Sequence, residues 1–246
     1  MNKLPQPHQA WLNQLDILPH EGCSLIWEGG SRAYALNQPG SDHDIRAVAM
    51  PTLGQLALQQ DWGEKHMPDT DFVLRSANKT LHMLRNGNPN LVELFGLPKD
   101  CLIHMDTWGM RLLTIGKRLC LTTNLVKSFS GYAIQQKRLA EKNTGVKRDK
   151  ALMHSLRVWR MGRELIETGT VNVRRTSDHM ELMAIRQGDY DPRWYENAWK
   201  ISQHAYYKAV DTHNVLPKPV TDDEYRQLVE PMMLDWIRHL IQENNQ

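Results

Sequence analysis

Two stretches set the reading of this chain: Cys23-Ser24-Leu25-Ile26-Trp27-Glu28-Gly29-Gly30-Ser31-Arg32 and, beginning ten residues after Ser31, Ser41-Asp42-His43-Asp44-Ile45-Arg46. The first is a short apolar run that stops at Gly29-Gly30, as a buried strand does when it ends in a tight turn. The second leads into Ile45 to Met50, a weakly alternating run bounded by Pro39-Gly40 and Pro51, which reads as another strand. Carboxylates two residues apart share a face on a strand, so Asp42 and Asp44 would converge there. Converging like charges raise each other's pKa unless a cation lies between them, which asks for a hard metal such as Mg²⁺. A Gly-Gly-Ser turn offers backbone N–H groups and a hydroxyl, as a phosphate site requires. An isolated Asp-x-Asp usually caps or solvates a turn, and Gly-Gly-Ser is as often a plain loop. Their order and spacing are more specific, because they put a phosphate cradle and metal ligands at neighbouring strand ends.

Downstream, Phe72-Val73-Leu74 is a third strand candidate, and Ser76 is placed to cap a helix running to about Arg85, where Gly87-Asn88-Pro89-Asn90 stops it. From Thr107 the periods become helical. The pattern predicts helices over Thr107 to Leu119, Asn124 to Glu141, Asp149 to Thr168, Asp178 to Arg186, Pro192 to Val210 and Asp222 to Gln242. Thr221 and Glu224 form a capping box at the head of the last. The aromatic residues of 192–210 fit the packing of one face. The fold expected is α+β: a small mixed-sheet unit over residues 1–106 followed by a helical unit over 107–246, with the site between them.

Composition narrows the classes. The chain has 246 residues, 41% hydrophobic and 24% charged, with a mean hydropathy of −0.56, and no apolar run approaches the roughly 18 residues of a membrane helix. Met1 to Gln14 has neither the basic nor the apolar region of a signal peptide, so a cytoplasmic protein with no membrane partner is expected. Cys23, Cys101 and Cys120 are scattered and odd in number, which suits core positions better than disulfides or a zinc site. The net charge of +2 conceals an asymmetry: residues 1–100 carry 8 Lys/Arg against 11 Asp/Glu, residues 101–175 carry 15 against 5, and residues 176–246 carry 7 against 12. A basic middle third suggests contact with a polyanion, and solvated helix faces account for it equally well.

The segments Gly30-Ser31-Arg32-Ala33-Tyr34 and Ser41-Asp42-His43-Asp44-Ile45-Arg46 resemble the signature of nucleotidyltransferases of the DNA polymerase beta superfamily, in particular the RNA ligase-associated nucleotidyltransferase family. Three further segments match that pattern in order: Gly87-Asn88-Pro89-Asn90 with Glu93; Gly131-Tyr132-Ala133 with Gln136 and Arg138; and Asp149-Lys150 with His154 and Arg157. The resemblance implies a polymerase-beta-like fold and metal-dependent transfer of a nucleoside monophosphate from a nucleoside triphosphate to an acceptor hydroxyl, with an RNA end as a candidate acceptor. It implies two Mg²⁺ ions, with Mn²⁺ as an alternative, held by three carboxylates. Asp42 and Asp44 match the first two; Asp71, ahead of the third strand, is the choice for the third, with Asp69 its close competitor and Glu93 a further acidic candidate. Gly30, Ser31 and Arg32 are expected to hold nucleotide phosphates.

On a helix beginning at Asp149, with Asp149 as its N-cap, Lys150, His154 and Arg157 fall on one face, and such a face can clamp phosphates. Its bland counterpart is a solvated face with an incidental histidine. Tyr132 could stack on a base, though an aromatic in a helical stripe is more often core. His43 should point away from the metals. The chain departs from the family pattern at Ala35, where Gly is usual and where Ala tolerates positive φ poorly. Two other classes compete: a non-catalytic nucleotide- or RNA-binding module of the same fold, and a nucleotide-sugar transferase using Asp-x-Asp.

Overall fold

The computed structural model describes residues 23–66 and 71–244, and β1 (Cys23–Glu28) opens it, buried along nearly its whole length. A strand covered on both faces reads as an unbroken apolar run, which is what Leu25-Ile26-Trp27 supplies. A single turn, α1 (Gly30–Ala33), follows at once. β2 (Ile45–Ala49) runs back antiparallel to β1, pairing Glu28 with Ile45. The capped turn α2 (Leu53–Ala57) and the short edge strand β3 (Glu64–His66) precede β4 (Val73–Ser76), which lies parallel to β2. With β5 (Leu102–Met105) antiparallel on the far side of β1, the mixed sheet has the order β3-β4-β2-β1-β5.

Ser76 caps α3 (Ala77–Arg85) as its position predicts, accepting from the Lys79 N–H at 3.0 Å. A turn α4 (Pro89–Val92), capped by Asn88, leads through 3-10 turns to β5. Then come α5 (Thr107–Cys120), α6 (Asn124–Glu141), α7 (Gly145–Thr168), α8 (His179–Gln187), α9 (Pro192–Thr212) and α10 (Asp222–Asn244). The Thr221/Glu224 capping box is present, with both reciprocal bonds formed. One expectation fails: Asp149 is not an N-cap. The helix begins a turn earlier at Gly145, and Asp149 is a buried position inside it, accepting from Arg148 Nε at 2.9 Å and from the Tyr190 hydroxyl at 3.1 Å.

One apolar core runs from the sheet into the helices, from Leu25, Trp27 and Val48 through Leu81 and Leu112 to Phe129, Trp159, Tyr206 and Trp236. The opposite face of the sheet gathers a smaller cluster of Ile26, Ile45, Ala47, Phe72 and Leu74. α7 packs against α6, α8 and α9. Tyr195, Trp199 and Tyr206 are the buried aromatics of α9, while Trp194 and Tyr207 lie at its edge, each about two-fifths exposed at 40% and 42%. α5 comes close to β1 because residue 109 is glycine: a Cβ there would strike the Ser24 carbonyl. The three cysteines are free and buried. Among the described residues no helix is long and apolar enough to cross a membrane.

The turn after α1 carries backbone strain. Ala35 has φ of 58°, the left-handed region that costs a residue with a Cβ about 1–2 kcal/mol. The turn holds because Arg175 N–H donates to the Tyr34 carbonyl at 3.0 Å and His179 Nε2–H to the Ala35 carbonyl at 2.8 Å. We expect Ala35→Gly to stabilise the protein by about 1 kcal/mol after the extra chain entropy of glycine is subtracted, read as a higher denaturant midpoint at unchanged slope.

Candidate active site

The two strand ends that the sequence singles out lie side by side. Gly29 N–H donates to the Asp44 carbonyl at 2.8 Å, extending the β1–β2 pairing one step past the strands. Gly30 has φ of +63°, and a Cβ on it would collide with the Asp44 carboxylate. Glycine is therefore required twice at position 30, for its backbone and for the carboxylate that rests on it. In the parallel β2–β4 ladder Arg46 pairs with Val73; carried two residues back, the same register sets Asp44 beside Asp71. Paired residues point to the same face, so Asp44 and Asp71 share one, while Asp42 lies in the loop ahead of β2, where the Ile45 N–H donates to the His43 carbonyl at 3.0 Å.

The electrostatics agree with that placement. Burial raises the Asp44 pKa above the ordinary carboxylate range, with Asp71 and Asp42 adding to the rise and Arg46 and Lys150 opposing it. Asp42 and Asp71 are exposed and Asp44 is half-buried, so the trio opens to solvent. Asp69 lies outside the described residues, as do Met1 to Gln14. His43 places Nδ1 2.6 Å from Glu28 Oε1.

The carboxylates offer only hard oxygen donors, the donor set that suits Mg²⁺ or Mn²⁺. Their crowding raises the proton affinity of Asp44, and a divalent cation would relieve it. Among the described residues no group of three or more His, Cys, Asp or Glu side chains is placed to hold a metal ion.

The row from α7 enters the site from the helical side, and its members differ in burial. Lys150 is exposed at the mouth, His154 is half-buried, and Arg157 forms the floor with 1% of its surface exposed. Lys150 is close enough to lower the Asp44 pKa. His154 meets the Tyr34 ring edge-on at 6.0 Å between centroids. Burial, then the charges of Arg157, Lys150 and Arg186, hold its pKa well below the usual histidine value, so the imidazole is neutral.

Arg157 is engaged inside the protein. Its Nη1 donates to Glu93 Oε1 at 3.1 Å, its guanidinium lies 3.6 Å from the Tyr34 ring centroid, and the Tyr34 hydroxyl donates to the same Glu93 carboxylate from 2.7 Å. Glu93 is thus the structural partner of an arginine rather than an open acidic ligand. Arg32 is likewise committed: it donates to the Ser41 carbonyl at 3.1 Å and pairs with Glu28 at 3.3 Å, tying the loop that carries Asp42 to α1. Ser31 is buried at 6% exposure beside Gly30. Tyr132 is part-buried, and its pKa is raised chiefly by that burial, with Arg157, Glu93, Arg46 and Asp44 all in electrostatic reach.

Two cations of the site escape the sequence reading. Arg46, on β2 two residues after Asp44, is the charge that most opposes the rise in the Asp44 pKa. Arg186 carries no local signal. It reaches the site because Arg175, buried between Glu164 and Asp178 at 2.8 and 2.9 Å, anchors the segment leading into α8. The carboxylates facing Arg186 are Asp44 and Asp42.

A family model described as RNA repair pathway DNA polymerase beta family (RlaP) matches residues 14–189, a span that holds every residue just described. The chain belongs to that family, and with it to the polymerase-beta-type nucleotidyltransferases associated with RNA repair. No curated protein matches the chain.

Two outcomes follow from this geometry. Glu93→Ala leaves Arg157 charged and unpaired in the interior, so it should cost about 3–5 kcal/mol, and replacing both residues with apolar ones should cost less than the sum of the single changes, read by denaturant titration. For His154, the unfolded chain takes up a proton below about pH 6.5 while the folded chain does not. The stability that its neutral form contributes is present above that pH and is lost on acidification, with a slope of about 1.4 kcal/mol per pH unit. His154→Gln should remove that increment from the stability–pH profile.

Proposed function

We propose that the protein transfers a nucleoside monophosphate from a nucleoside triphosphate to an acceptor hydroxyl, with an RNA end as the acceptor, in the cytoplasm. The observation that supports the reading is the seat of Asp44 on the Gly30–Ser31 turn ahead of β2, with Asp42, Asp71 and Lys150 in electrostatic reach of it. Asp42, Asp44 and Asp71 hold divalent metal, Mg²⁺ or in its place Mn²⁺. The ions, when bound, neutralise phosphate charge and favour the deprotonated form of the attacking hydroxyl.

The remaining work falls to the chain. The missing side chain at position 30 makes room for the Asp44 carboxylate, and the Gly30–Ser31 turn offers its backbone N–H groups to phosphate oxygens beside it. Lys150 supplies a mobile positive charge at the mouth, and neutral His154 can hydrogen-bond a phosphate oxygen without adding charge. Arg157 acts as a positioning residue, holding Tyr34 and Glu93 under the turn, and Arg32 fixes the Asp42 loop in the same way. The acceptor oxygen forms a bond to the α-phosphorus as the bond from that phosphorus to the bridging oxygen of the β-phosphate breaks. The hydroxyl proton passes to a carboxylate of the trio and on to water, and pyrophosphate leaves.

Incubation with labelled nucleoside triphosphates, Mg²⁺ and RNA should release pyrophosphate, and the Asp42→Asn, Asp44→Asn double variant should lower that rate by about 100-fold or more. Release that persists unchanged in the double variant sinks the proposal.

A further inference from the structure

The buried guanidinium groups of this protein are nearly all spent on its own carboxylates: Arg157 on Glu93, Arg175 on Glu164 and Asp178, and Arg75 on Glu64. Arg186 is different. Its Nε and Nη1 are buried without a hydrogen-bond partner, as Arg157 Nε and Arg75 Nη1 also are, but no carboxylate among the described residues pairs with the rest of its guanidinium, and Nη2 reaches Ser41 Oγ only at 3.4 Å. It forms no ion pair among the described residues, although Asp42 and Asp44 are the acids that face it. Nδ1 of His154 is a second buried polar atom of the site with no partner. Leaving such groups unfilled is costly in an interior. Here they belong to neighbouring side chains at one site, and none of these atoms has an acceptor among the described residues.

An oxyanion would satisfy all of these groups. Guanidinium donors suit phosphate oxygens in both charge and geometry, and two edges of Arg186 are free. The position separates one phosphate from another. Transfer takes place at the α-phosphate, against the carboxylates, and Asp71 lies two residues ahead of β4, at one side of them. Arg186 instead faces Asp42 and Asp44 and touches the loop at Ser41, on the side away from β4. That is where the tail of a triphosphate lies if the acceptor enters past Asp71.

Resting on the nucleotidyl-transfer reading, we propose that Arg186, with His154 beside it, receives the terminal phosphates of the nucleotide and so makes the site selective for triphosphates over monophosphates. It then holds the departing pyrophosphate.

The test is calorimetric binding of inorganic tripolyphosphate and of a nucleoside monophosphate, each with Mg²⁺, to the full chain carrying Arg186→Gln, Arg186→Lys or the surface control Arg193→Gln. We expect Arg186→Gln to weaken tripolyphosphate by about tenfold or more, Arg186→Lys to fall between it and the wild type, and monophosphate binding and the control to stay as in the wild type. The Arg186→Gln chain should melt no lower than the wild type, because the guanidinium it removes is unpaired; a clear loss of thermal stability would mark a structural role and overturn the inference. Unchanged tripolyphosphate affinity in Arg186→Gln would overturn it while leaving the nucleotidyl-transfer reading intact. A wild-type chain that binds neither probe would defeat that reading, and the inference with it.

Discussion

The buried contact of Arg157 with Glu93 and Tyr34 is the constraint around which the site is built. Tyr34 closes the turn that follows Gly30 and Ser31, Glu93 opens the 3-10 turn after α4, and Arg157 projects from the middle of α7. One charged pair, with a hydroxyl and an aromatic face, thereby joins three segments distant in sequence. A buried ion pair contributes little net stability compared with apolar packing, and its strength lies in penalising any arrangement that separates the partners. Here the penalised arrangements are those that tilt α7 or shift the Gly-Ser turn, and with them Lys150, His154 and the backbone beneath Asp44.

Charge along the chain takes its meaning from this architecture. The acidic first hundred residues and the basic middle read as a metal site joined to a polyanion surface. Much of the basic excess is in fact spent on the acidic flanks: Arg111 pairs with Asp235, Lys137 with Glu196, Arg160 with Asp178 and Glu181, and Arg174 with Asp100. Exposed pairs of this kind add little energy each. Among the described residues Lys117, Arg118, Lys127, Arg138, Lys142, Lys147 and Lys150 are left without an ion pair, and of these Lys150 is the one in electrostatic reach of Asp44.

Local patterns made much of this legible. β1 and α6 fall where their apolar periods place them, and the caps at Ser76 and Thr221 form as their spacing requires. The Asp42/Asp44 pair lies in the loop just ahead of β2, where period two does not govern side-chain direction, and Asp44 is the one that the Gly30 turn seats. What escaped has a physical reason in each case. β3 and β5 are three- and four-residue edge strands, too short to show alternation and dependent on the sheet beside them. Asp149 looked like a cap because capping side chains and buried acids are the same residue types. Arg157 looked like a phosphate ligand because a helix-face pattern records direction and not depth. Arg186 enters only through the packing of α8, which no short-range pattern encodes.

The central claim is that nucleotide and metal meet where the Gly30–Ser31 turn, the Asp42/Asp44 pair and the Lys150 face converge. A crystal structure with a non-hydrolysable nucleoside triphosphate and Mn²⁺, located by anomalous scattering, tests it most directly. The account predicts manganese on Asp42 and Asp44 and a phosphate tail running past Lys150. A nucleotide seated elsewhere, with the carboxylates free of metal, would contradict it.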